Sequence, residues 1–267
     1  FDVARKTFRS DIFPDYKANR SEPPEELVPP FELGREATAA LTLPAVELAG
    51  FEADDMIATY AAAAEAARLA TTIVSSDKDL MQLVRGGVTM LDPMKQRRIG
   101  APEVIERFGV PPEKVVDVQA LAGDSTDNVP GVPGIGIKTA AELITTYGDL
   151  ETLLARADEI KQPKRRENLL NFAEQARISR QLVLLRDDAP MPLELAALKT
   201  PARDMDRLIA FLQQQDFKRL LVRVGAGGAA TQHDAAGAPA AGTAVRSMAS
   251  SPAPQESAPG PRDAAPA

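Results

Sequence analysis

The chain has no cysteine, no tryptophan and a single histidine, His233, in 267 residues. Without cysteine there are no disulfides, no thiolate nucleophiles and no Cys-based zinc sites. His233 lies in an Ala/Gly/Pro/Ser-rich tail. The folded part therefore lacks a Ser-His-Asp triad, a Cys-His pair and a His-ligated metal. No apolar run approaches the ~20 residues of a membrane span, so no membrane partner is expected. Phe1-Asp2-Val3 offers neither a basic nor an apolar leader segment, so a cytoplasmic protein is expected. These residues also lack an initiator Met and read as the middle of a strand, so an N-terminally truncated chain is expected. What remains for chemistry is carboxylates, Lys, Arg, hydroxyls and hard metal ions.

What is present is enough apolar sequence for a real core. Hydrophobic residues make up 44% of the chain, enough for one or two ordinary domains. The net charge is −7, which taken alone argues mildly against nucleic acid. The average hides two basic stretches: Arg5, Lys6, Arg9, Lys17 and Arg20, and then Lys161, Lys164, Arg165 and Arg166.

Periodicity predicts alternating strands and helices up to about residue 100. Residues 1–3, 45–48, 71–74 and 88–91 read as strands. Helices are expected to about Thr42 (weakened by Gly34), over 53–69 and over 80–84. Residues 4–30, basic and then Pro-rich, read as a mobile arm or arch. Such alternation implies a mostly parallel sheet with helices on both faces. From about Ala101 the strand signal fades, and helices are expected near 102–108, 113–122, 137–147, 149–156, 165–180 and 203–215. Residues 225–267 are too poor in large apolar side chains to offset chain entropy and read as a disordered linker.

Four acidic motifs stand out: Asp2; Glu52, Asp54 and Asp55; Asp77 and Asp79; Asp124 and Asp127. The first three groups follow predicted strands. In a parallel sheet they would arrive at one edge, where sites of open α/β folds form. Carboxylates so crowded raise one another's pKa values, and divalent cations relieve the repulsion. Two ions about 4 Å apart can activate water against a phosphodiester. Each motif alone reads more readily as a helix cap or an Asx-turn; the combination favours metal. Gly131-Val132-Pro133-Gly134-Ile135-Gly136 precedes a helix start at Ile137-Lys138-Thr139, where N–H groups favour phosphate. It matches neither Walker nor Rossmann spacing, and in isolation it is equally a tight turn between helices.

Phe-Glu-Ala-Asp-Asp (51–55), Ser-Asp-Lys-Asp-Leu (76–80), the run 123–136, and Phe-Arg…Tyr-Lys-Ala-Asn-Arg (8–20) together closely resemble the 5′-nuclease domain of bacterial DNA polymerases I, over Phe1 to about Val224. The resemblance implies a PIN-like α/β core (1–100, including an arch at 4–30). A helix–hairpin–helix domain (101–224) and a linker (225–267) would follow. It implies two Mg²⁺ or Mn²⁺ ions. Asp2, Glu52 and Asp54 are expected on the first, and Asp54, Asp77, Asp79 and Asp127 on the second, with Asp55 and Asp124 acting mainly through water. Lys17 and Arg20 would grip the scissile phosphate. Arg9 and Tyr16 would touch DNA from the arch, and Gly131, Gly134, Ile135, Gly136 and Lys138 would hold the duplex, with K⁺ at the hairpin carbonyls. The implied substrates are DNA with a 5′ flap or nick and an RNA primer on DNA, with proofreading and polymerase domains as C-terminal partners. The family's first strand and its metal-binding Asp would precede Phe1. Two other readings stay open: a non-catalytic DNA-binding fragment and a PIN-type ribonuclease, the latter disfavoured by the hairpin.

Overall fold

A computed structural model describes residues 1–22 and 24–233. Residues 1–211 form one compact unit, and a second unit starts at Leu212. In the first, helix α1 (Phe8–Ile12) leads through turns to α2 (Val28–Ala40), with prolines tolerated in its first turn, where the N–H groups have no helical partner. Helix α3 (Ala53–Ala66) follows, then β1 (Thr71–Val74), a 3₁₀ turn (Asp79–Leu83), β2 (Val88–Asp92) and β3 (Arg97–Ile99). Helices α4 (Ala101–Phe108), α5 (Val115–Ala122), α6 (Ile137–Tyr147), α7 (Leu150–Ala155), α8 (Pro163–Asn171) and α9 (Ala173–Val183) complete the sequence before α10 (Met205–Gln214). The second unit contains α11 (Lys218–His233).

The sheet has the order β1-β2-β3. β1 pairs parallel with β2, and β2 antiparallel with β3. The α/β class is as expected, but the sheet is small and mixed rather than mostly parallel. Among the described residues, 1–3 and 45–48 form no strand. They meet through a single bond, from the Phe1 amino group to the Val46 carbonyl (2.9 Å), too little to start a ladder. β3 was not anticipated, because three residues with two arginines carry almost no strand pattern. The segment 165–180 is two helices, α8 and α9, that meet at Phe172. The expected linker is helical as far as His233, where Lys218-Arg219-Leu220-Leu221-Val222 starts α11; the rest of it lies outside the described residues.

One hydrophobic core runs from α3 and the sheet through α4, α5, α6, α7 and α8. Met90, Val104, Leu121, Leu153 and Leu169 are fully buried in it. Residue 100, the expected domain boundary, thus falls within a continuous core.

Candidate active site

Helix α3 starts at Glu52, and its free N–H groups collect carboxylates. Asp2 accepts from the Ala53 amide at 2.7 Å, and Asp55 from the Glu52 amide at 3.0 Å. This places Glu52, Asp54 and Asp55 on the first turn, as the cap chemistry of acids at a helix start requires. After β1, Asp77 accepts from the Asp79 amide at 2.9 Å, and Gln119 of α5 donates to Asp79 at 2.5 Å. Asp124 and Asp127 lie on the loop after α5, closed by a bridge between Asp124 and Val129. Glu52, Asp54, Asp79, Asp124 and Asp127 line one cavity of about 20 Å³, room for about one water or ion.

The cavity is electrostatically uneven. Burial, then the neighbouring Asp77 and Glu52, push the Asp54 carboxyl up to about 7. Asp79 is raised for the same reasons, burial first and Asp77 second. Other acids carry a protein cation. Lys17 reaches Glu52 at 2.8 Å and Asp127 at 3.6 Å, and Arg20 also pairs with Asp127. Lys78 pairs with Asp124; burial would raise that carboxyl, but the ammonium outweighs it and holds it low. Lys78 was missed by sequence reasoning, although its place between Asp77 and Asp79 was a signal. Among the described residues no three of the acids come together closely enough to enclose an ion. Of the six acids expected on the two ions, Glu52, Asp54, Asp79 and Asp127 line the cavity and Asp2 and Asp77 do not; Glu52 and Asp127 are paired with Lys17 or Arg20. The donor set still fits a hard divalent cation, since it is all carboxylate oxygen and holds excess charge at Asp54.

Asp55 does not face the cavity. It is fully buried and makes two 2.7 Å bonds with Arg9, which is 1% exposed. Burial alone would raise the Asp55 carboxyl, but Arg9 and the amides of Arg186 and Glu52 hold it low. Arg9 donates further to the carbonyls of Leu182 and Leu184. Asp55 is thus not available to a metal, nor Arg9 to DNA; the pair clamps α1, α3 and the chain after α9 together. Tyr16 is also corrected. Its ring lies in a small core with Val116, Val129 and Leu182, and its hydroxyl donates to Glu52 at 3.3 Å. Burial and the charge on Glu52 raise its pKa, so it holds the carboxylate rather than stacking on a base.

The turn carrying Lys17 and Arg20 is stitched to the acidic loop. The Lys17 amide donates to the Asp127 carbonyl (2.9 Å), Asn19 to the Ser125 carbonyl (2.7 Å), and Asn128 to the Asp15 carbonyl (2.6 Å). Beyond it opens a cavity of about 1010 Å³, lined by Arg5, Lys6, Lys17, Arg20, Arg35 and the exposed Phe31.

In the glycine run, Gly134, Gly136 and Lys138 are exposed, and Gly131 and Ile135 are buried. Ile135 packs in the core. The Gly131 amide donates to Ser179 (3.0 Å), and its carbonyl accepts from Gln175 (2.7 Å). At φ +60°, a Cβ on Gly131 would stand 2.4 Å from the Gly123 nitrogen. Gly131 therefore serves backbone packing and does not reach DNA, which corrects that expectation.

Residues 1–109 match the family description "5′-3′ exonuclease, N-terminal resolvase-like domain", and residues 110–206 match "5′-3′ exonuclease, C-terminal SAM fold". The chain belongs to the 5′-3′ exonuclease family. Among exonuclease-family relatives, the DNA polymerase I of Rhizobium leguminosarum is 59% identical over 224 residues, covering 84% of this chain. The chain spans 22% of that relative's length. A zinc-bound T5 5′-exonuclease has a similar fold, with a TM-score of 0.62 and 24% identity over 80% of each chain. The bacteriophage T5 D15 flap endonuclease, solved with DNA and metal ions, gives 0.60 and 23%, covering 84% of this chain and 81% of its own.

Proposed function

We propose that this chain is the 5′-3′ exonuclease and 5′-flap endonuclease part of a DNA polymerase I. Its substrates would be DNA with a 5′ flap or nick, and RNA primers on DNA. Proofreading and polymerase domains would be its partners in the full-length protein, in the cytoplasm. The observation that carries this reading is the joining of three features. An acid-lined cavity holds a carboxylate at about 7, two cations stand beside it, and a wide groove lined by five cations and by Asp2, Glu22 and Glu52 opens next to them.

Asp2, Glu52, Asp54, Asp77, Asp79 and Asp127 are the residues that would hold two Mg²⁺ or Mn²⁺ ions. When bound, these would supply Lewis acidity at the phosphate and acidify a water. The chain's own work is binding and charge placement. Lys17 and Arg20 exchange carboxylate partners for a phosphate and neutralise charge building on it. The groove, about 1010 Å³ with Phe31 exposed beside cations, has the size and chemistry for a single strand. The exposed backbone at Gly134 and Gly136 and the start of α6 suit a duplex backbone. K⁺ at the hairpin belongs to the same proposal; the carbonyls of Gly131, Val132 and Pro133 each already accept one protein hydrogen bond.

The test is Asp54→Asn on a 5′-flap substrate with Mg²⁺. Cleavage should fall at least about 10³-fold while flap binding without metal stays within about threefold. Retained Mg²⁺-dependent turnover would sink the assignment, and a clear preference for RNA over flap DNA would move it to a ribonuclease.

A further inference from the structure

The basic stretch 161–166 is not used by the site just described. It lies at the start of α8, and α8 is tied to the hairpin: Asn168 donates to the Pro133 carbonyl at 2.7 Å. A Cβ on Gly134 would stand 3.7 Å from the same Asn168 nitrogen. Helix spacing places Arg165 three residues before Asn168 and Arg166 three before the fully buried Leu169, on the same side of α8. Both arginines are half-buried, and side chains of this length can cover protein with their stems while the charged heads stay in solvent.

Their charge is unopposed. The cations of the N-terminal stretch each have a carboxylate: Arg5 has Glu22, Lys6 has Asp11, Arg20 has Asp127. Within 156–167, Arg156 is held by Glu159 and Lys164 by Glu167. Among the described residues Lys161, Arg165 and Arg166 form no ion pair, nor does Lys138 across the hairpin. In a chain with net charge −7, three uncompensated cations beside an exposed backbone loop mark a place where negative charge is welcome. Side chains of this type without base-reading groups beside them suit phosphates rather than sequence.

We propose that Lys161, Arg165 and Arg166 form a second phosphate-binding surface, continuous with the hairpin at 134–138, that takes the backbone of double-stranded DNA. This rests on the DNA reading above and extends the duplex footprint from α6 onto α8. Each phosphate neutralised releases counterions, so log K against log salt steepens by about 0.9 per contact.

The experiment uses the full 267-residue chain without divalent metal. Binding to blunt duplex and to single-stranded DNA of equal length is measured from about 50 to 200 mM salt. The variants are Arg165→Ala/Arg166→Ala and, as a control, the exposed Lys199→Ala; circular dichroism checks folding. In the double variant the duplex slope should become shallower by about 2, and affinity at about 0.1 M salt should fall roughly tenfold. Single-strand binding and the control should not change. An unchanged duplex slope in the folded double variant overturns the proposal while leaving the DNA reading intact. Failure of the wild-type chain to bind duplex would overturn both. If the double variant does not fold, Lys161→Glu gives the same readout from outside the helix. It should weaken duplex binding and flatten the slope, and an unaltered slope there refutes the proposal.

Discussion

Around Asp54 like charges are packed together, whereas the Gly131 amide and carbonyl each have a hydrogen-bond partner. Asp54 faces Asp77 and Glu52 with its carboxyl pushed up to about 7. The Gly131 amide and carbonyl meet Ser179 and Gln175, and its backbone lies against Gly123. The difference separates two jobs. The cleft stores electrostatic strain that a cation can release, and the hairpin supplies a rigid frame that does not depend on one. A third arrangement is the Arg9–Asp55 pair, in which an acid from the same helix start as Asp54 is neutralised by a buried arginine. Two carboxylates next to each other in sequence therefore have opposite fates.

That contrast can be broken most severely at Asp55. Asp55→Ala leaves the buried Arg9 with only the more distant Glu52, at 3.8 Å, as a carboxylate partner, and should cost about 3–5 kcal/mol in urea unfolding. A loss below about 1 kcal/mol would mean the clamp does not carry the fold. Gly131→Ala forces a side chain into the Gly123 backbone at a φ suited to glycine. It should cost about 3 kcal/mol, read as a lowered Tm, with little change in Mg²⁺ affinity.

Asp54→Asn sharpens the contrast in the other direction, because it should stabilise the metal-free chain. A carboxyl raised from 3.8 to about 7 favours folding while protonated, and that contribution is lost as pH rises through about 7. The full displacement would be worth about 4 kcal/mol, but solvent reaches this half-buried group, so roughly 1–2 kcal/mol is expected. The Tm gain of Asp54→Asn should be near zero at pH 4, grow to pH 8, and shrink when Mg²⁺ is added. A gain that is flat with pH would refute the charge argument. Asp55 and Asp124, both held low, act oppositely: their contribution is present above the ordinary carboxylate range and lost in acid. The smallest effect belongs to Tyr16→Phe. Its hydroxyl bonds are long, 3.3 and 3.5 Å, so stability should change by less than about 1 kcal/mol.

Much of this was legible in the sequence because it is local. Acids at predicted helix starts, the strands at 71–74 and 88–91 and the helix after the glycines follow from spacing over a few residues. What was not legible depends on long-range partners. Arg9 reads as one basic residue among several until Asp55, 46 positions away, claims it. Tyr16 reads as an exposed arch aromatic until Leu182 and Val129 close over its ring. Residues 45–48 have strand composition, but strand formation needs a neighbour and only Phe1 provides one bond. The start of the expected linker falls inside α11, because composition weighed the glycines and alanines above the apolar start at Leu220.

The three bonds between the 15–19 turn and the 125–128 loop have a mechanical meaning. That loop runs directly into Gly131 and the hairpin, so the turn carrying Lys17 and Arg20 is tied to the chain that leads to the backbone proposed to meet a duplex. The protein behaves there like a caliper with one fixed jaw: the distance from where a helix is gripped to where a phosphate is met is built in, not searched for. On the proposed reading, a ruler of this kind would select substrates by where their double-stranded part stops, without reading a single base.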